Sequence, residues 1–551
     1  MTTVPTQPAS HSAEASVPDL HELVIEFRCD VEALGRFYRI KGSEARRTRF
    51  DRLYSDWQSR LAEVDPSSLG TAGRADLALF RNYLARERRS LEIDAELQSA
   101  LRRVVPFADS IIELEESRVR MDPIDPSRSA HRLSEIHEAV AEARSMLEEA
   151  APPAEYGYSA LELLSSLREA ADRWFSHYNG YDPLFTWWVA DPYEKLKTEL
   201  EAFHKLLEDK TLGSKAAGAI VGRAVGREAI LADLSFEMIP YTPEELIGFG
   251  EREYAWCLER MVEASRELGF GDDWHAALEH VKQQHVEPGK QTELVRGLAL
   301  EAIEFVESRG LVTVPELAKE TWRMDMMSPE RQLVSPFFLG GETIIVSYPT
   351  HTMTQQQKLM SMRGNNPHFS RATVQHELIP GHHLQGYMER RNRPYRQVFR
   401  TPFWTEGWAL YWEMLLWKLD FPRKPEERIG MLFWRMHRCI RIVFSLRFHL
   451  GELTPEECVE MLVDKVGHER ANAEGEVRRS FNGSYPPLYQ AAYMIGGLQM
   501  WALRRELVDS GRMTDRQFHD AILGENNIPI AILRAILTGE DPAHVEWRFE
   551  K

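Results

Sequence analysis

Apolar residues recur along this chain with the period of a helix far more often than with that of a strand. Leu196, Leu200, Phe203 and Leu207 fall on one stripe after Asp191-Pro192, which reads as a helix start. Thr242-Pro243-Glu244-Glu245 and Thr454-Pro455-Glu456-Glu457 are capping boxes with proline at the first helical position. Further on, Trp408, Tyr411, Trp412, Leu415 and Leu419 mark a largely buried helix that Thr405 is placed to cap. Charged stretches such as 133–149 read as solvated helix faces. One segment breaks the pattern: Gly340-Gly341 leads into Glu342-Thr343-Ile344-Ile345-Val346-Ser347-Tyr348, bounded by Pro349, and predicts a strand. The stretch from Tyr178 to Asp191, rich in proline, glycine and aromatics, reads as a loop between helical layers or along a cleft. The pattern predicts a mainly α protein with a soft boundary near residue 235, dividing an N-terminal helical lobe (21–235) from a second lobe (236–551).

The second lobe carries the chemistry. Residues 376–383 read His-Glu-Leu-Ile-Pro-Gly-His-His, three of the chain's 19 histidines around one glutamate. Neutral imidazoles are the commonest protein ligands of zinc, and a carboxylate beside the first can serve as general base toward a metal-activated water. This is not the plain H-E-x-x-H motif, whose histidines lie four apart on one helix face. Six or seven residues on a straight helix separate Cα atoms by roughly 9–10.5 Å, too far for two imidazoles to converge easily on one ion. Pro380 cannot donate to the carbonyl of His376, so a kinked or bulged helix is expected there, with Gly381 allowing the backbone to recover. Such a bulge brings His382 toward His376, and His383 is the alternative ligand.

A third ligand is expected from Trp-Thr-Glu-Gly-Trp-Ala-Leu-Tyr-Trp-Glu, residues 404–413. Glu406 opens that helix, and a carboxylate among so many aromatics is costly to bury unless it is paired or binds a cation. Glu413 lies two turns on, roughly 10 Å away, so it cannot share the ion and is expected to orient a ligand from behind. His383 takes a similar supporting place when His382 is the ligand.

A histidine–glutamate pair followed by this glutamate-bearing helix resembles the gluzincin metallopeptidases. In their aminopeptidase N type, an Asn-Glu-Gly-Phe-Ala helix supplies the third zinc ligand, which corresponds to Glu406. The Pro-Gly-His-His ending more specifically resembles the bacterial domain-of-unknown-function family 885. That family is distantly similar to the carboxypeptidase Taq, thimet oligopeptidase and angiotensin-converting enzyme types. The resemblance implies a two-lobed helical fold with a deep cleft and a small antiparallel sheet near the metal helix, whose edge strand pairs with substrate. In those relatives a Gly-His pair holds the second ligand, favouring His382, and dipeptidyl-peptidase III is a partial precedent for extra residues between ligand histidines. A tyrosine or histidine opposite the metal holds the developing oxyanion, a part that falls to Tyr493 first and Tyr489 second. Tyr489 and Arg478 are the expected substrate contacts, with Arg479 the alternative arginine for a substrate carboxylate. The resemblance spans about residues 240–540. It departs from the pattern in the inserted Pro-Gly and in Tyr493-Met494, where many members have Tyr-Lys.

Composition fits that expectation. A chain of 551 residues with 43% hydrophobic and 28% charged content can bury a sizeable core. A net charge of −18 disfavours nucleic acid and anionic membrane as partners. Cys29, Cys257, Cys439 and Cys458 are scattered without ligand-like spacing, which suits a reducing cytoplasm. Residues 1–20 read as a disordered tail, and no segment has the length and apolarity of a membrane span. The expected activity is zinc-dependent hydrolysis of amide bonds in short peptides. Zinc would be held by His376, His382 and Glu406, and Glu377 would pass the water's proton to the leaving amine. A metal-dependent hydrolase of a non-peptide amide and a metal-free binding protein on the same fold are the two alternatives.

Overall fold

Capping chemistry sets where the helices begin. Thr242 and Thr454 each accept a backbone hydrogen bond from three residues on while Glu245 and Glu457 reach back, and helices Pro243–Glu267 and Pro455–Val466 follow. The same device with glutamine in the fourth place starts Gln355–Gly364 after Thr354 and Asp515–Glu525 after Thr514. The computed structural model describes residues 20–212, 220, 222–332, 338–483 and 485–550. More than twenty helices make up nearly all the regular structure among them. The expected tail, residues 1–20, lies outside the described residues except for Leu20, which opens the first helix.

Three expected boundaries move. The helix predicted to start at Asp191 starts at Pro183 and runs to Leu212, with Pro192 inside it. Asp182 caps it, accepting from the backbone of Leu184 and Phe185 at 2.9 and 3.0 Å. The loop expected over 178–191 is correspondingly short. Thr405 is not a cap either: Thr401 accepts from Phe403 with Pro402 at the first position, so the helix runs Pro402–Lys418 and Glu406 sits in its second turn.

The sheet is parallel, not antiparallel. Arg323–Met326 pairs with Thr343–Val346 in the register Arg323↔Thr343 to Met326↔Val346. The two strands are joined by a crossover that includes the short helix Pro329–Gln332, and a crossover is what parallel pairing requires. An isolated antiparallel bridge joins Ile345 to Leu339. At Ile345 the outer edge is therefore occupied by the chain itself. Ile344 and Val346 pack on Val374 and Leu378, placing the sheet against the helix that carries His376.

Two large apolar clusters hold the helices together. One gathers Ala108–Val119, Pro126–Glu149, Ala154–Tyr178, Pro183–Leu212 and the far end of Thr71–Leu101. The other joins Leu20–Phe37, Glu44–Ala62 and the near half of Thr71–Leu101 to the helices after residue 227. The fully buried Arg396 reinforces that second junction, its Nε donating to Asp76 at 2.6 Å while Tyr395 donates to the same carboxylate at 2.7 Å. Residues 20–84 thus share a core with the helices bearing the octet. No helix among the described residues is long and apolar enough to cross a membrane.

The helices Pro402–Lys418 and Tyr489–Arg504 meet through two glycines. A Cβ on Gly496 would lie 2.0 Å from the Phe403 carbonyl oxygen, and one on Gly407 would lie 2.6 Å from the Gly496 carbonyl carbon. Only side-chain-free backbone permits that approach, which brings the second helix's tyrosines to Glu406. Gly496→Ala is expected to lower stability by about 1–3 kcal/mol, the range for overpacking a core. Gly524→Ala, in a helix with nothing within 4 Å of the new methyl, should be neutral or slightly stabilising. Denaturant midpoints of the two variants check this, and an unshifted midpoint for Gly496→Ala would show that the helices can part without loss.

Candidate metal centre

The octet is split between two helices. Asn366 caps the first, accepting from His368 and Phe369 at 3.0 Å, and the helix runs Pro367–Glu377. Leu378 leaves helical geometry (φ −109°, ψ −106°), the Ile379-Pro380 bond is cis, and a second helix begins at His382. The expected single bulged helix is therefore a full break. Gly381 closes it: its N–H donates to the Gln375 carbonyl at 3.0 Å, and a Cβ there would lie 1.9 Å from the His376 oxygen. Trp408 clamps the break from the next helix, its indole N–H donating to the Pro380 carbonyl at 2.9 Å.

This turn sets the rings of His376 and His382 4.8 Å apart and perpendicular. His376, His382 and Glu406 each offer a ligand atom, and these atoms lie within 4.8 Å of one another. Glu406 Oε2 stands 3.4 Å from His382 Nε2 and 3.8 Å from His376 Nε2. Tetrahedral ligands about 2.0–2.1 Å from zinc sit roughly 3.3 Å apart, so the spacing suits one ion with little adjustment. The backing residues set the proton positions. His376 Nδ1 lies 2.7 Å from Glu413 Oε1, an acceptor only, so Nδ1 carries the proton and Nε2 presents its lone pair. His382 Nδ1 lies 3.0 Å from Gln385 Oε1, while Gln385 Nε2 donates to the Thr405 carbonyl at 3.1 Å and so turns the amide oxygen toward the ring. Two imidazole lone pairs thus converge on Glu406 Oε2, a buried oxygen with no hydrogen-bond partner. Its twin Oε1 accepts from the Tyr489 hydroxyl. The donor set fits a divalent cation: two neutral nitrogens, one carboxylate and a shortfall of positive charge.

The electrostatics agree. Protons and a cation compete for the same Nε2 atoms: burial opposes charge on His376 and His382, yet the facing carboxylates outweigh it, raising both pKa values and bringing His382 to about 9, so a bound metal ion would displace those protons. Burial also opposes ionisation of Glu406, but the imidazoles hold its carboxyl well below the usual range. Burial raises Glu377. The cluster is thus built to hold positive charge, and it is open to solvent on one side: the His382 side chain is 16% exposed and Glu377 partly exposed.

The other expected residues distribute as follows. Glu413 stands behind His376, and Arg438 donates to the same oxygen at 3.3 Å. His383 turns away, its Nε2 2.7 Å from the Ala318 carbonyl, so His382 is the histidine that faces Glu406. The Tyr489 hydroxyl donates to the candidate ligand Glu406, and its side chain is half-buried. The Tyr493 hydroxyl lies 3.5 Å from that of Tyr489, and its ring runs nearly parallel to His376 at 6.2 Å. Burial pushes the Tyr493 phenol up to about 12. Arg478 is half-buried on helix Arg470–Phe481, and its neighbour Arg479 donates to Glu476 at 2.7 Å with Tyr485 5.8 Å away. Sequence reasoning missed Gln385, Arg438 and Arg441, whose guanidinium lies 4.1 Å from the Tyr493 ring. Their signals were present: a glutamine three after a ligand histidine, and arginines inside the otherwise apolar helix Pro425–His449.

The comparisons agree with this fold. A solved structure described as "a putative lipoprotein of unknown function" from Shewanella oneidensis aligns with a TM-score of 0.72 at 17% identity, covering 95% of this chain and 100% of that one. A second, described as a "putative lipoprotein" from Colwellia psychrerythraea, aligns at 0.60 with 16% identity over 94% and 98%. At such identities the likeness concerns the fold alone. No curated protein matches the chain. Residues 40–537 match the family described as bacterial protein of unknown function (DUF885), a span reaching well before residue 240, where the motifs alone place the start of the resemblance. The match takes in the histidine pair, the Glu406 helix and the tyrosine helix, and the chain belongs to the DUF885 family.

Proposed function

We propose that this protein is a zinc-dependent hydrolase cleaving amide bonds of short peptides. The observation that carries the reading is the convergence of two imidazole lone pairs, fixed by Glu413 and Gln385, on the unpartnered Oε2 of Glu406. Two histidines and one carboxylate leave a coordination position open, the mark of a catalytic site. Zinc bound there supplies Lewis acidity that polarises a carbonyl and acidifies water. Glu377, next to His376 and at the solvent side, takes the water's proton and returns it to the leaving amine. Tyr493 donates a hydrogen bond to the oxygen on which charge develops, its ring steadied by the Arg441 guanidinium. On this reading the two apolar clusters are the lobes flanking a cleft, with the helices of residues 20–84 grouped with those after residue 227 and the middle helices forming the other lobe. The preference for peptides rests on the resemblance to helical metallopeptidases.

Metal analysis alongside digestion of a broad peptide library tests the proposal. About one zinc per chain and cleavage that a chelator abolishes are expected. Absence of any transition metal after zinc supplementation would sink it. A zinc-bearing protein that left every peptide intact would move the substrate to a non-peptide amide.

A further inference from the structure

A cavity of about 250 Å³ connects to the metal centre through one pair of stacked tyrosines. Tyr485 lines it and stacks on Tyr489 at 4.2 Å, and the Tyr489 hydroxyl reaches Glu406. Arg223 lines it too, partly exposed and with no hydrogen bond or ion pair to any described residue. The arginines around the metal centre are otherwise engaged, Arg438 with Glu413 and both Arg441 and Arg479 with Glu476. Arg223 is held between two backbone anchors. Gly222 presses on Phe481, where a Cβ would lie 2.7 Å from the carbonyl oxygen, and Gly226 donates to the His449 carbonyl at 3.0 Å. His449 also lines the cavity; it is only 5% exposed and its Nδ1 has no partner. Glu162 lines the cavity too, and burial raises its pKa against the opposing pull of Lys41. A guanidinium that lines a cavity with no counter-ion among the described residues is a place for a planar anion.

We propose that this cavity receives the free carboxyl terminus of the substrate, with Arg223 pairing to the terminal carboxylate. This assignment rests on the hydrolase reading for its orientation, and makes the enzyme one that acts near the C-terminal end of a peptide. Calorimetric titration of zinc-supplemented Glu377→Gln protein with Ala-Ala-Phe and with its C-terminal amide tests it without relying on turnover. The free acid is expected to bind at least tenfold tighter, and Arg223→Ala in the same background to erase the difference. Arg223→Lys, which keeps the charge but not the two-pronged geometry, should fall between. Equal affinities, a preference that survives Arg223→Ala, or no binding of either peptide would overturn the proposal. Acid-selective binding in a protein that cleaves no peptide would overturn the hydrolase reading and leave the carboxylate site standing.

Discussion

Glu377→Gln is expected to keep its zinc and lose hydrolysis by about 10²- to 10⁴-fold, the usual share of general acid–base catalysis. Glutamine is nearly isosteric with glutamate but cannot take up a water's proton. Glu377 is not one of the three grouped ligands, so its amide leaves the metal-holding set intact. Its backbone is fixed independently of the carboxylate, since the carbonyl accepts from Gly341 N–H at 3.2 Å. Zinc occupancy and turnover measured on the same preparation separate the two effects. Full activity in this variant would remove Glu377 from the chemistry.

The largest loss of metal should follow Glu406→Gln. The substitution removes the one anionic ligand and puts a neutral amide where two imidazole lone pairs converge. An affinity loss of more than about 100-fold is expected, beyond the 10- to 100-fold typical of a residue that only supports a ligand. Glu413→Gln should fall within that smaller range, because it acts through His376 Nδ1 and not on the ion. His382→Ala should behave like Glu406→Gln. His383→Ala should leave zinc in place, since that ring is spent on the Ala318 carbonyl. Competitive titration against a chelator of known affinity ranks all four. Unchanged affinity in Glu406→Gln, or zinc lost in His383→Ala, would mean that the ligand set is drawn wrongly.

Much of this was legible in linear order, where the physics is local. Capping boxes act over four residues, so the starts of Pro243–Glu267 and Pro455–Val466 could be read directly. The helical period of residues 404–419 announced a buried helix, and its depth is greater than one stripe implies: every residue from Glu406 to Leu416 is buried. An acid in such surroundings needs a cation or a partner, which singled out Glu406. Where local rules competed, the reading slipped. Asp182 and Asp191 each directly precede a proline, and sequence alone does not say which one caps. Thr401-Pro402 and Thr405 posed the same choice.

Residue types and their spacing therefore sufficed for the helical class and for singling out His376, His382 and Glu406, a group that could hold a metal ion, because each depends on a side chain and its near neighbours. What needed the folded chain was convergence. Proline and glycine at 380 and 381 said that the helix could not continue, but not that it would stop and restart, an outcome held by the Trp408 indole from another helix. The choice between His382 and His383 depends on which ring meets Glu406, 24 residues on. The parallel pairing of the strands, the backing of His376 by Glu413 and Arg438, and the closeness of Tyr489 to Glu406 through Gly407 and Gly496 are likewise contacts between distant segments. Such contacts are set by packing the whole core at once, and no window along the chain contains both partners.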